Sequence, residues 1–231
     1  MVSRPVSFTD VVLCATQGVD YEIRVREPGS AVAIVVLQGG ELSPRLVELA
    51  EDIAGDEINL YAFVARENRP ELRISPLGAR EARLDSMLSR STAVLSLVRS
   101  AGGEPAIRAG GRNELFLQEL SRALEIRGYA VLPSKVPAIG ASPAFFFNRA
   151  SDGGVQLELS DALCEDLHGG TECGANREAF VEAVRTGLRQ YVAAARSDLG
   201  RTMDRFERAT ARFPAEIRTG PGRRERNGDR P

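Results

Sequence analysis

Seven consecutive apolar residues, Ala31 to Leu37 (AVAIVVL), lie between Gly29 and the Gln38-Gly39-Gly40 turn. A run without polar alternation is what a strand requires when both of its faces are covered, so this segment predicts a central strand with packed layers on either side. The residues that follow supply one of those layers. Ser43 is placed to cap a helix with Pro44 in its first turn, and Leu46, Leu49, Ala50 and Ile53 recur at helical spacing before Gly55 ends it.

The same alternation runs through the chain. Strands are expected at Tyr21 to Arg26, Ile58 to Val64, Leu72 to Ser75, Ala93 to Val98, Tyr129 to Leu132 and Val155 to Leu159, with Gln156 and Glu158 on one face of the last. Helices are expected at Ala79 to Ser89, around Leu117, Leu120 and Leu124, and along a final stripe of Phe180, Val184, Leu188, Tyr191 and Ala195. Such an order predicts the α/β class: a single domain with a mixed, mostly parallel sheet and helices on both faces, mixed where a connection is too short to cross over. The expected domain is 1–213. Residues 214–231 end in GPGRRERNGDRP and hold no core-forming cluster, so they are read as a disordered arginine-rich tail.

Composition removes several classes of function. Of 231 residues 43% are hydrophobic, yet no apolar run approaches the ~18 residues needed to cross a bilayer, and the first residues match a secretory leader poorly. The expected location is therefore cytoplasmic, with no membrane partner. Cys14, Cys164 and Cys173 are too few, and odd in number, for a disulfide framework. With 30 basic against 32 acidic residues the whole chain carries no footprint for nucleic acid. Lys135 is the sole lysine and His168 the sole histidine, so neither a Ser-His-Asp nor a Cys-His set can be assembled, and no phosphate-binding glycine loop is present. The spacing Cys164-x3-His168-x4-Cys173 falls outside common zinc patterns and reads as a polar loop.

Ligands of open α/β sheets gather at the carboxyl ends of the strands, which directs attention to Gln38, Arg99 and the stretch after Glu158. The pairs Gly39-Gly40, Gly102-Gly103 and Gly110-Gly111 lie nearby as turns or as places where backbone approaches a ligand. Two segments here resemble the zinc-dependent poly-γ-glutamate hydrolases of phages and bacteria. Phe147-Asn148-Arg149 followed by GGVQLELS at Gly153 to Ser160 is similar to that family's Asn-Arg and Gly-Val-Gln-Leu-Glu-Leu-Ser segment. Gln38-Gly39-Gly40, with Glu48-Leu49-Ala50 downstream, resembles its His-Gly-Gly-x-Ile-Glu-x-Gly-Thr segment. The resemblance extends from about Tyr21 to Tyr191 and implies a carboxypeptidase-like zinc hydrolase fold.

It also implies a zinc site of two histidines and one glutamate, and here this chain departs from the pattern. Gln38 stands for the first histidine, Ser43 for the glutamate and Val98 for the second histidine, while Arg73 replaces a further histidine. A neutral amide, a hydroxyl of high pKa and a hydrocarbon do not make a zinc site, so neither metal nor other cofactor is expected. Glu158 matches the family's general base and is the candidate catalytic residue; its plainer role is a strand-end carboxylate paired with an arginine such as Arg149. Gln38, Ser43, Arg73, Arg99, Asn148, Arg149 and Gln156 are the candidate ligand-binding residues, with Arg73 and Arg99 suited to hold a carboxylate.

Three functions follow as expectations. The first is a pseudoenzyme that binds a γ-glutamyl or other acidic peptide. The second is a hydrolase or amidase of γ-glutamyl bonds using Glu158, and Glu41 near the vacated position, with a rearranged or absent metal. The third is a non-catalytic partner subunit for another protein.

Overall fold

The computed structural model describes residues 6–134, 142–168 and 173–210. Packing divides the chain into two compact units, residues 1–191 and 192–231. The first holds a seven-stranded sheet made of β1 (Tyr21–Arg26), β2 (Val32–Gly40), β3 (Asn59–Ala65), β4 (Ala93–Ser100), β5 (Ile107–Gly111), β6 (Val131–Pro133) and β7 (Gly154–Ser160), in the spatial order β1-β3-β2-β4-β7-β5-β6. Neighbours among β3, β2, β4 and β7 run parallel, whereas β1 pairs antiparallel with β3 and β5 antiparallel with β7. The predicted α/β class with a mixed, mostly parallel sheet is therefore the architecture found.

Alternation along β2 divides the core. Ala33, Val35 and Leu37 join Tyr61, Phe63 and Val94 in a cluster with Val11 of α1 (Phe8–Cys14), Leu84, Met87 and Leu88 of α3 (Ala82–Arg90), and Phe146 and Phe147 of a 3-10 turn (Phe146–Arg149). The opposite face is covered by α2 (Leu46–Ala54) and α4 (Glu114–Ile126), against which the first part of α6 (Cys173–Thr210) packs. Those helices interlock: Arg185 donates to the Ile53 carbonyl, the Phe116 and Tyr191 rings stack at 4.7 Å, and a Cβ on Gly187 would come within 2.8 Å of the Leu120 backbone. The described part of the second unit is the continuation of α6, with Leu199 and Met203 exposed.

Several local expectations give way to packing. Residues 72–75 do not form a strand; Pro70–Leu72 is a 3-10 turn, and only Ile74 makes a bridge, to Val6. Gly110 and Gly111 are not a turn but the end of β5, because a side chain at Gly111 would collide with the Gly154 carbonyl of β7. Ser43 does not cap α2. Its carbonyl accepts from Leu46 N at 3.3 Å, and Arg45 takes the cap position in the left-handed conformation, φ 68°. Phe8–Cys14 forms an additional helix, started by a reciprocal Ser7–Asp10 capping box. Cys164 belongs to a short helix, α5 (Asp161–Asp166), rather than to a polar loop. Lys135 and the arginine-rich tail lie outside the described residues.

Candidate functional site

The carboxyl ends of β2 and β4 border a cleft of about 560 Å³, walled by Glu41, Leu42, Ser43, Pro44, Asn68, Arg73, Arg99, Ser100, Ala101 and Asp161. Its place follows from the topology, since the loops leaving parallel neighbours meet at that edge. Ser43 is buried at 3% exposure, with its N–H bonded to the Gly40 carbonyl. The turn is tight because Gly39 and Gly40 press on β3: a Cβ on Gly39 would sit 2.7 Å from the Phe63 carbonyl, and one on Gly40 would collide with that of Ala65. These two glycines therefore serve strand packing.

The two arginines of the cleft differ. Arg99 pairs with Asp161 and reaches Glu165 at 3.4 Å, both on α5, and its side chain is 20% exposed. The hydrogen bond to Asp161 is the main reason its pKa is raised, outweighing its partial desolvation. Arg73 is exposed and donates to Asn68 Oδ1 at 2.8 Å. Asp161 and Glu165 were not singled out in the sequence. Their i,i+4 spacing just after a serine that caps a helix was the available signal, and Ser160 does cap α5.

Glu158 stands elsewhere. Its register partner in β4 is Val98 and in β5 Arg108, while Arg99 is opposite Leu159. Since side chains alternate along a strand, Glu158 projects from the sheet face opposite to Arg99, and it is not on the wall of the cleft. Ser134 Oγ donates to Glu158 Oε1 at 2.7 Å and Gln156 Nε2 to the same oxygen at 3.4 Å. The pairing with Arg149 is thus replaced by a serine that no local pattern marks, brought in by the end of β6. Gln156 is buried at 5% exposure, and its Oε1 is buried without a hydrogen bond among the described residues. Gln38 is half-buried beside a register shift of β2 against β3.

Asn148 and Arg149 hold the frame. Asn148, 2% exposed, accepts from Arg112 N at 3.1 Å and Gly154 N at 3.4 Å and donates to the Ser142 carbonyl at 3.0 Å. Arg149 bridges Asp85 of α3 at 2.6 Å and the Ala79 carbonyl. Burial, with Arg80 nearby, lowers its pKa, and Asp85 opposes the shift. Apart from Gln38, half-buried in β2, the predicted residues fall into three groups: Ser43, Arg73 and Arg99 at the cleft, Gln156 and Glu158 on the other sheet face, and Asn148 and Arg149 in the packing of the 3-10 turn.

A divalent metal finds no match among these side chains. Gln38, Ser43 and Val98 hold the positions where the resemblance places ligands, and no group of three or more His, Cys, Asp or Glu among the described residues could hold an ion. Cys164 is buried, which pushes its thiol up to about 11 and leaves it protonated at neutral pH. Burial is also the first cause lowering the His168 pKa, against a bond from its Nδ1 to the Cys164 carbonyl at 2.7 Å.

Fold and cleft define a class: an open α/β domain with a polar cleft at the carboxyl edge of its parallel strands. The sequence model of the poly-gamma-glutamate hydrolases matches residues 6–194, and this chain belongs to that family. YndL of Bacillus subtilis (strain 168) is 26% identical over 155 residues, which are 65% of this chain; the chain spans 61% of that relative's length. A bacteriophage poly-γ-glutamate hydrolase shares the fold at TM-score 0.71 and 22% identity, over 80% of this chain and 95% of its own. The zinc-free form of YndL also matches at 0.71 and 22%, over 79% and 96%. Arg45, left-handed at the entry to α2, donates through its Nη1 to the His168 carbonyl at 2.9 Å.

Proposed function

We propose that this member of the family binds a γ-glutamyl or similar acidic peptide without zinc-dependent hydrolysis. The observation that carries the reading is a cleft at the ligand-binding edge of the sheet that keeps a solvent-facing arginine, Arg73, and lacks a donor set for zinc. An arginine fork donates two parallel hydrogen bonds to a carboxylate, which makes Arg73 the contact for the peptide. Glu158 supports the same view. Its carboxylate is engaged by Ser134 and Gln156 and points away from that cleft, and without a metal the water it would deprotonate keeps a pKa near ~15.7.

The test combines metal analysis with activity and binding. Elemental analysis after dialysis against a slight excess of zinc should find far less than one zinc per chain. Poly-γ-glutamate should stay intact, while short γ-glutamyl peptides bind and Arg73→Ala removes the binding. Stoichiometric zinc, or polymer cleavage that Glu158→Ala abolishes, would assign the protein to the active hydrolases instead.

A further inference from the structure

We infer that the cleft receives the amino-terminal residue of a γ-glutamyl peptide as a zwitterion, its α-carboxylate on Arg73 and its α-ammonium on Glu41. This rests on the γ-glutamyl reading above and narrows it. The charges of the wall carry the argument. Glu41 and Asp161 balance Arg73 and Arg99 within the cleft. Behind them Glu165 also reaches Arg99, so this arginine faces two carboxylates of α5 and has little charge left for a ligand. Arg73, bonded to a neutral amide oxygen, keeps its charge available.

Such a wall is neutral to slightly negative and disfavours a polyanion, which would bring several like charges past Glu41 and Asp161. It suits a ligand that carries one charge of each sign. In a γ-linked chain every interior residue has a free α-carboxylate, but its α-nitrogen is an uncharged amide. Only the amino-terminal residue presents ammonium and carboxylate on the same carbon. At about 560 Å³ the cleft has the volume of a small-molecule site and admits this terminal residue together with residues that follow it.

Calorimetric titration of the full chain with γ-glutamylglycine, its N-acetyl derivative and poly-γ-glutamate tests this. The free-amine dipeptide should bind about two- to fivefold more tightly than the acetylated one, as one additional exposed ion pair provides. Glu41→Gln should erase that difference by weakening the free-amine dipeptide, while Arg73→Ala should weaken both. The polymer should bind in proportion to its amino-terminal ends. Equal affinity for free and acetylated dipeptides, or polymer binding that scales with total residues, overturns the zwitterion inference while leaving γ-glutamyl binding intact. Absence of binding by all three ligands, with Glu41→Gln and the parent melting alike, overturns both.

Discussion

Arg149 and Arg73 look equivalent as residues in a chain rich in arginine, and the fold gives them opposite roles. The Arg149 side chain is 13% exposed and bridges a helix carboxylate and a loop carbonyl, so its hydrogen bonds are used within the protein. Arg73 is exposed and bonded to the neutral amide of Asn68, so its charge stays open to solvent, which is why the proposed function places a carboxylate there. Asn148 extends the first kind of role and Ser43, at the cleft, borders the second. The contrast teaches that a polar residue in a family segment can be turned inward onto protein partners or left facing solvent, and that burial separates the two.

Substitutions can break that contrast, beginning with the frame. Asn148→Ala leaves the buried Gly154 N–H and the part-buried Arg112 N–H without their acceptor and should cost about 3 kcal/mol in denaturant unfolding. Arg149→Ala should cost about 2 kcal/mol by the same measurement, less than a fully buried pair would because Asp85 is 40% exposed and regains water. A loss below ~0.5 kcal/mol in both would dissolve the distinction.

Two further changes sharpen it. Arg45→Gly should raise stability by up to about 1 kcal/mol, since glycine adopts the left-handed cap without side-chain strain and the bond lost to His168 is exposed. A decrease would show that the Arg45 contact outweighs its backbone strain. Arg73→Ala should move stability by less than ~0.5 kcal/mol while removing peptide binding, which is the pattern of a contact residue; a shift in melting as large as that of Arg149→Ala would place it in the frame.

Much of the fold could be read from the chain. Ala31 to Leu37 had to be a strand covered on both faces, and the apolar spacing of residues 46–53 had to be a helix beside it. The reading failed where a local pattern had two outcomes. Gly110-Gly111 is as good a turn as a strand end, and only the approach of β7 makes it a strand. Ser43-Pro44 has the form of a helix start, yet the glycines pressed against β3 shift the helix to Leu46.

The candidate site divides in the same way. Loss of the histidine and glutamate donors is written in the identity of Gln38, Ser43 and Val98 and needs no coordinates, because the chemistry of a ligand belongs to the side chain itself. Which groups meet is different. That Arg99 is held by α5, that Glu158 faces the other side of the sheet with Ser134, and that Arg73 shares a cleft with Glu41 were decided by strand order, register and the course of the connecting segments. Side-chain identity is a property of one residue, whereas proximity across 24 positions, as between Ser134 and Glu158, or 62, as between Arg99 and Asp161, comes only from the packing that brings distant segments together.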